Sequence, residues 1–140
     1  MRDWRILAMS VAGAVLMGAM PVMGHHSPQA EFDLFKKVMV KGTVKKMEWI
    51  NPHPSLLVDV KDEKTGQVKT WQFEVDGVST LRRAGVSRTI LKFGEPVTVE
   101  YYPAWNGAEH GFVQRLIMAS GQEYQVYFGE AEQKVATPSR

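Results

Sequence analysis

The chain has 140 residues, 17 basic and 15 acidic side chains, a net charge of +2 and no cysteine. That length suits one domain, and the charge surplus is too small for a nucleic-acid track. The lack of cysteine excludes disulfides, thiolate metal sites, covalently attached haem and cysteine nucleophiles.

The chain opens with the grammar of a secretory signal peptide. Arg2 and Arg5 form a positive n-region, Ile6 to Met20 an apolar h-region broken only by Ser10, and Pro21 to Gly24 a short exit ending in a small residue. Cleavage after Gly24 removes Arg2, Arg5 and Asp3, leaves a net charge of +1, exposes His25 as the new amino terminus and delivers the protein to the periplasm. The competing reading is a retained anchor. Ile6 to Met23 falls short of the roughly 20 apolar residues that span a bilayer, and it carries the helix-breaking Pro21. With the leader removed, no membrane and no nucleic acid is expected among the partners.

Downstream the apolar period is mostly two, the mark of half-buried strands. Val38, Val40 and Val44 start one strand, but Met47 and Trp49 continue it on the other parity, which predicts a bulge or bend between Gly42 and Lys46. Leu56, Val58 and Val60 make a second strand and Trp71, Phe73 and Val75 a third, joined as a hairpin by the charged turn Asp62 to Gly66. Asp76 or Ser79 then caps a short helix with Val78, Leu81 and Ala84 on one side, Arg82 and Arg83 outward, and Gly85 as terminator. Val97, Val99 and Tyr101, alternating with Thr98, Glu100 and Tyr102, make the next strand, and Phe112 to Ala119 another, separated by a polar loop from Pro103 to His110. Ser120-Gly121 turns the chain into a last strand from Tyr124 to Phe128.

Three strands, a short helix, then two or three strands is the order of an OB-like barrel: an all-β fold with one short helix and five to six strands, closed or partly open. The competitor is an open sandwich or SH3-like barrel. The predicted organisation is a signal peptide over 1–24, an N-terminal extension over 25–37, the barrel over 38–128 and a solvated tail over 129–140.

All four histidines, His25, His26, His53 and His110, lie beyond the leader, whereas five of the eight methionines lie within it. A terminal His25 chelates through its α-amine and ring, and His26 or His53 completes an all-nitrogen set of the kind copper(II) favours. Cleavage one residue earlier instead gives Gly24-His25-His26, a square-planar chelate for copper or nickel. His53 sits in Trp49-Ile50-Asn51-Pro52-His53-Pro54, where two prolines stiffen the loop that presents its ring. The predicted metal ligands are therefore His25, His26 and His53. The bland reading of His53 is a turn histidine bonded to a carbonyl.

A second functional class is a metal-free module contacting a small molecule or protein through Trp49, Asn51, Arg82, Arg83 and Trp105. Trp49 and Trp71 read first as core, while Trp105, in a loop with Asn106 and Gly107 and near His110, is the aromatic a core explains least. Asp33, Asp59, Glu74, Asp76 and Glu100 supply carboxylates, but each fits a solvated face. There is no Gly-x-Ser-x-Gly, His-Glu-x-x-His or phosphate-cradling loop. An enzyme is not expected.

The motifs His25-His26-Ser27, Glu31-Phe32-Asp33, Lys41-Gly42-Thr43-Val44, Trp49-Ile50-Asn51-Pro52-His53, Leu81-Arg82-Arg83 and Leu91-Lys92-Phe93-Gly94-Glu95-Pro96-Val97 span nearly all of the chain after the leader. Together they resemble an uncharacterised family of small exported bacterial proteins with a His-His-Ser start and a Trp-x-Asn-Pro-His segment. The chain departs from that pattern in having Gly24 where relatives place alanine, Pro54-Ser55 where they place an aromatic, and Gly85-Val86 where they place Gly-Trp. The resemblance implies an exported location and makes the histidine motifs part of a family pattern. It brings no activity.

Overall fold

Strand β1 (Val38–Glu48) organises the molecule, because it pairs antiparallel with two partners, β2 (Ser55–Lys61) along its second half and β4 (Pro96–Pro103) along its first. The computed structural model of the chain describes residues 27–128. The leader, His25, His26 and the tail lie outside the described residues. Pairing of β1 with β2 shifts register between Val44 and Lys46, so the slip in apolar parity is a bulge, where one extra residue bends the strand and changes the face of those that follow.

Gly42 lies just before that bulge and makes the bend possible. A Cβ there would stand 2.5 Å from Val58 Cγ1 and 2.6 Å from the Asp59 carbonyl oxygen, and the second of these is backbone that cannot swing aside. Gly42→Ala is therefore expected to destabilise the protein by about 2 kcal/mol, as overpacking at a close strand crossing does. The midpoint of urea unfolding reads this; an unchanged midpoint would mean that β1 and β2 have room to separate.

β2 and β3 (Val68–Glu74) form the expected hairpin, with Asp62 Oδ1 accepting from the backbone N–H groups of Lys64 and Thr65 at 2.8 Å each. Helix α1 (Val78–Arg83) buries Leu81 in the barrel, and Gly85 follows with φ of 85°, a left-handed conformation that glycine takes without strain. The expected cap differs. The N-cap position is Gly77 and no side chain caps the helix; the Asp76 carboxylate instead accepts the Thr80 hydroxyl at 2.9 Å.

β4 leads into β5 (His110–Met118), and β5 into β6 (Glu123–Gln125). The β4–β5 connection is shorter than the polar loop read from the sequence, because strand geometry runs through Pro103 and resumes at His110. β6 stops at Gln125, short of the predicted Phe128, because the N–H groups of Val126 and Tyr127 both turn to the Gln114 carbonyl, at 2.8 and 3.0 Å.

The strand order is β3-β2-β1-β4-β5-β6, and a parallel pairing of β3 with β5 closes the first five strands into a barrel with β6 added outside. A closed five-strand barrel with its helix between the third and fourth strands is the OB-like arrangement. Closure pairs β3, which an open sheet would leave as a bare edge, with the first residues of β5, ahead of the stretch that pairs with β6. The interior is filled by Val44, Leu56, Val58, Phe73, Val99, Tyr101 and Leu116, with Leu81 from α1.

A second apolar cluster buries Tyr102, on the face of β4 opposite Val97, Val99 and Tyr101. By strand alternation Tyr101 enters the barrel core with Val97 and Val99, while Tyr102 and its partner Phe112 take the opposite face. There Phe32, from the segment ahead of β1, covers them together with Ala104, and all four are buried. The segment 27–37 is thereby packed on the barrel through an isolated bridge between Phe32 and Ala104.

Candidate metal centre

The seam where β3 meets β5 in parallel carries three residue pairs, Gln72↔His110, Phe73↔Gly111 and Glu74↔Phe112. Phe73 enters the core, so strand alternation puts Gln72 and Glu74 on the outer face, beside His110 and Phe112. The packed segment ahead of β1 adds Glu31 to the same face. Its backbone is fixed by a short 3-10 turn (Pro28–Ala30), the Glu31 N–H donating to the Pro28 carbonyl and the Glu31 carbonyl accepting the Trp105 N–H at 3.0 Å.

One ligand atom each from Glu31, Glu74 and His110 lies within 4.8 Å of the other two. The histidine is held in one tautomer. Its Nδ1 stands 3.1 Å from the Gln72 carbonyl oxygen, which only accepts, so Nδ1 carries the proton and donates. In the neutral ring Nε2 is then a bare lone pair, and it faces Glu31 Oε1 at 3.2 Å. Two acceptors at that distance need a cation between or beside them, either a proton, making the ring an imidazolium, or a metal ion. A ring N–H given to a backbone carbonyl is also how metal-ligating histidines are oriented. Phe32 supports the same ring from the side, with centroids 5.0 Å apart.

His53, from the loop between β1 and β2, also lies against Glu74. Its Nδ1 lies 3.0 Å from Glu74 Oε1, outside hydrogen-bonding geometry, and is a buried nitrogen with no hydrogen-bond partner. Glu74 thus has two imidazoles and a second carboxylate nearby. Burial pushes its carboxyl above the usual carboxylate range; His53 opposes that rise, Glu31 adds to it, and His110 opposes it again. Such a group holds its charge best with a cation beside it.

Of the residues singled out from the sequence, His53 touches the cluster at Glu74 without being one of its three mutually close ligand atoms, while His25 and His26 fall outside the described residues. Trp105 borders the cluster: it is 59% exposed, its backbone bonds Glu31, and its indole Nε1–H donates to the Gln29 carbonyl at 3.1 Å. Asn51 is exposed on the His53 loop. Trp49 is partly buried against the core, with Arg88 stacked over its ring at 5.2 Å. Arg82 and Arg83 lie on α1, where Arg83 lines a groove together with Gln125 to Phe128. The residues of the cluster that sequence reasoning did not single out as candidate ligands are Glu31, Glu74 and His110. Glu74 was legible as the outward residue of β3, but nothing local says that the barrel closes next to it.

The fold and the cluster define an OB-like barrel of mixed pairing with a histidine–carboxylate group on its closing seam. The chain belongs to a family of unknown function (DUF6152), whose model matches residues 13–114. Among solved structures it is similar to the mitochondrial single-stranded DNA binding protein Rim1 from S. cerevisiae, at 12% identity and a TM-score of 0.48, over 60% of this chain and 93% of that one. No curated protein sequence matches it. No helix among the described residues is long and apolar enough to cross a membrane.

Proposed function

We propose that the protein is an exported binding module that holds a transition-metal ion at the β3–β5 seam. The observation that carries the reading is the His110 ring, locked by the Gln72 carbonyl with its second nitrogen turned to Glu31, and with Glu74 completing a three-ligand group. Nitrogen and carboxylate donors without sulfur suit zinc and copper(II). The ion proposed is copper(II), because residues 1–24 read as a leader cleaved after Gly24, which frees His25 as an amino-terminal chelator in the periplasm. In this reading His25 and His26, in the 25–37 extension, add nitrogen donors to His53 and to the seam ligands, the 38–128 barrel is the scaffold, and 129–140 is a tail. Only Ser27 separates His26 from the turn that sets Glu31, and a chain advances about 2 Å per residue in such a turn, so the reach is short.

The test is a copper(II) titration of the exported protein, with its terminus read by intact mass, against His53→Ala and His110→Ala. Wild type should bind more tightly than an unfolded histidine-bearing peptide, and each variant should lose roughly tenfold to a hundredfold in affinity. Equal binding by all three would remove both histidines from the site.

A second reading is a metal-free contact surface for a small molecule or protein around Trp49, Asn51, Arg82, Arg83 and Trp105. The exposure of Trp105 favours it. A partner whose binding survives a chelator and is lost in Trp105→Ala would select it.

A further inference from the structure

The three seam ligands come from two bodies. Glu74 and His110 are strand residues of the barrel, whereas Glu31 belongs to the segment ahead of β1. That segment docks by hydrogen bonds to one short stretch: the Asp33 N–H to the Pro103 carbonyl at 2.9 Å, the Trp105 N–H to the Glu31 carbonyl at 3.0 Å, and the Trp105 indole N–H to the Gln29 carbonyl at 3.1 Å. Phe32 adds an apolar anchor on the same side. Toward β3, however, the segment presents the Glu31 carboxylate to a second carboxylate, Glu74. Like charges at this range oppose docking, and a divalent ion ligated by both converts the repulsion into a bridge.

Resting on the metal reading above, we infer that ion binding clips residues 27–36 onto the β3–β5 seam, so that the stretch leading into β1 tightens when metal is loaded and loosens when it is withdrawn. Linkage makes the effect reciprocal: a docked segment raises the affinity of the site by the factor by which the ion favours docking. The barrel thereby reports its metal state through the stretch of chain that leads into β1. His110 takes part on the barrel side, since its Nε2 points at Glu31.

Hydrogen exchange of the exported protein, with copper(II) and with a chelator, tests this on peptides covering 28–36 and 104–106, which contain the amides of Asp33 and Trp105. Copper(II) should slow exchange there about tenfold or more. Glu31→Gln should still bind the ion through Glu74 and His110, more weakly, and lose that slowing. Copper bound by wild type with no change at these peptides would overturn the clip and leave the metal site standing. Glu31→Gln that keeps the full slowing would overturn it as well. No copper bound at all would overturn both.

Discussion

Glu74→Gln is expected to leave the metal-free protein at least as stable as wild type at neutral pH while lowering its copper(II) affinity about a hundredfold or more. The two effects share one cause. Burial holds the Glu74 carboxyl above the usual carboxylate range, with Glu31 adding to the rise and the two histidines only partly cancelling it. The charged form is therefore the one the fold disfavours, and an amide of the same shape removes that cost. For an acid whose pKa is raised on folding, the folded state keeps its proton to higher pH than the unfolded chain does. Its contribution to stability then grows as pH falls from above the raised value toward the unfolded one, and is lost in the opposite direction. Melting of chelator-treated wild type between neutrality and about pH 5 should show this gain against the background of the other carboxylates, and Glu74→Gln should flatten it. Metal affinity runs the other way, because the proton must leave before the ion can bind. A variant that keeps wild-type affinity would place the ion away from the seam.

Gly111→Ala is expected to cost about 3 kcal/mol, the upper range for overpacking a tight core. Gly111 pairs with Phe73 on β3 and with Pro103 on β4, at the point where the barrel closes. An added Cβ would collide with the Tyr101 ring and come within 3.0 Å of the Tyr102 carbonyl oxygen. The ring has no easy escape: it is buried, packed edge-on to Phe73 at 5.0 Å and to Trp71 at 6.0 Å between centroids. Urea unfolding of Gly111→Ala, Tyr101→Leu and the double variant forms a cycle in which the two losses should add to more than the double variant shows. Additive losses would mean that the ring and the glycine are not in competition. Because His110 is the preceding residue, Gly111→Ala should also weaken metal binding, by moving a ligand rather than by removing one.

The strands were legible because each carries its own period-two pattern, and the bulge in β1 was legible because an extra residue leaves a permanent change of parity, visible as Val44 against Met47. The matching irregularity between β4 and β5 was not. It makes Gln114 the extra residue on β5, and Tyr102, turned outward by plain alternation, is buried only because Phe32 arrives from more than sixty residues away to cover it. The site follows the same logic. His53 stood out because prolines bracket it within its own loop, but its neighbour is Glu74, which reads locally as the wet side of a strand. Glu31, Glu74 and His110 meet through barrel closure and the docking of the segment ahead of β1, and neither event is written in any short window of sequence.

The β3–β5 seam has one more consequence. It is a ladder of three residue pairs, whereas β2 and β3 share seven, so when the barrel breathes it parts there first. Glu74 stands on one lip and His110 on the other. An ion of the kind proposed, gripping both, would be a rivet across the shortest join of the barrel, and its removal would lower the barrier to splitting the cylinder into an open sheet.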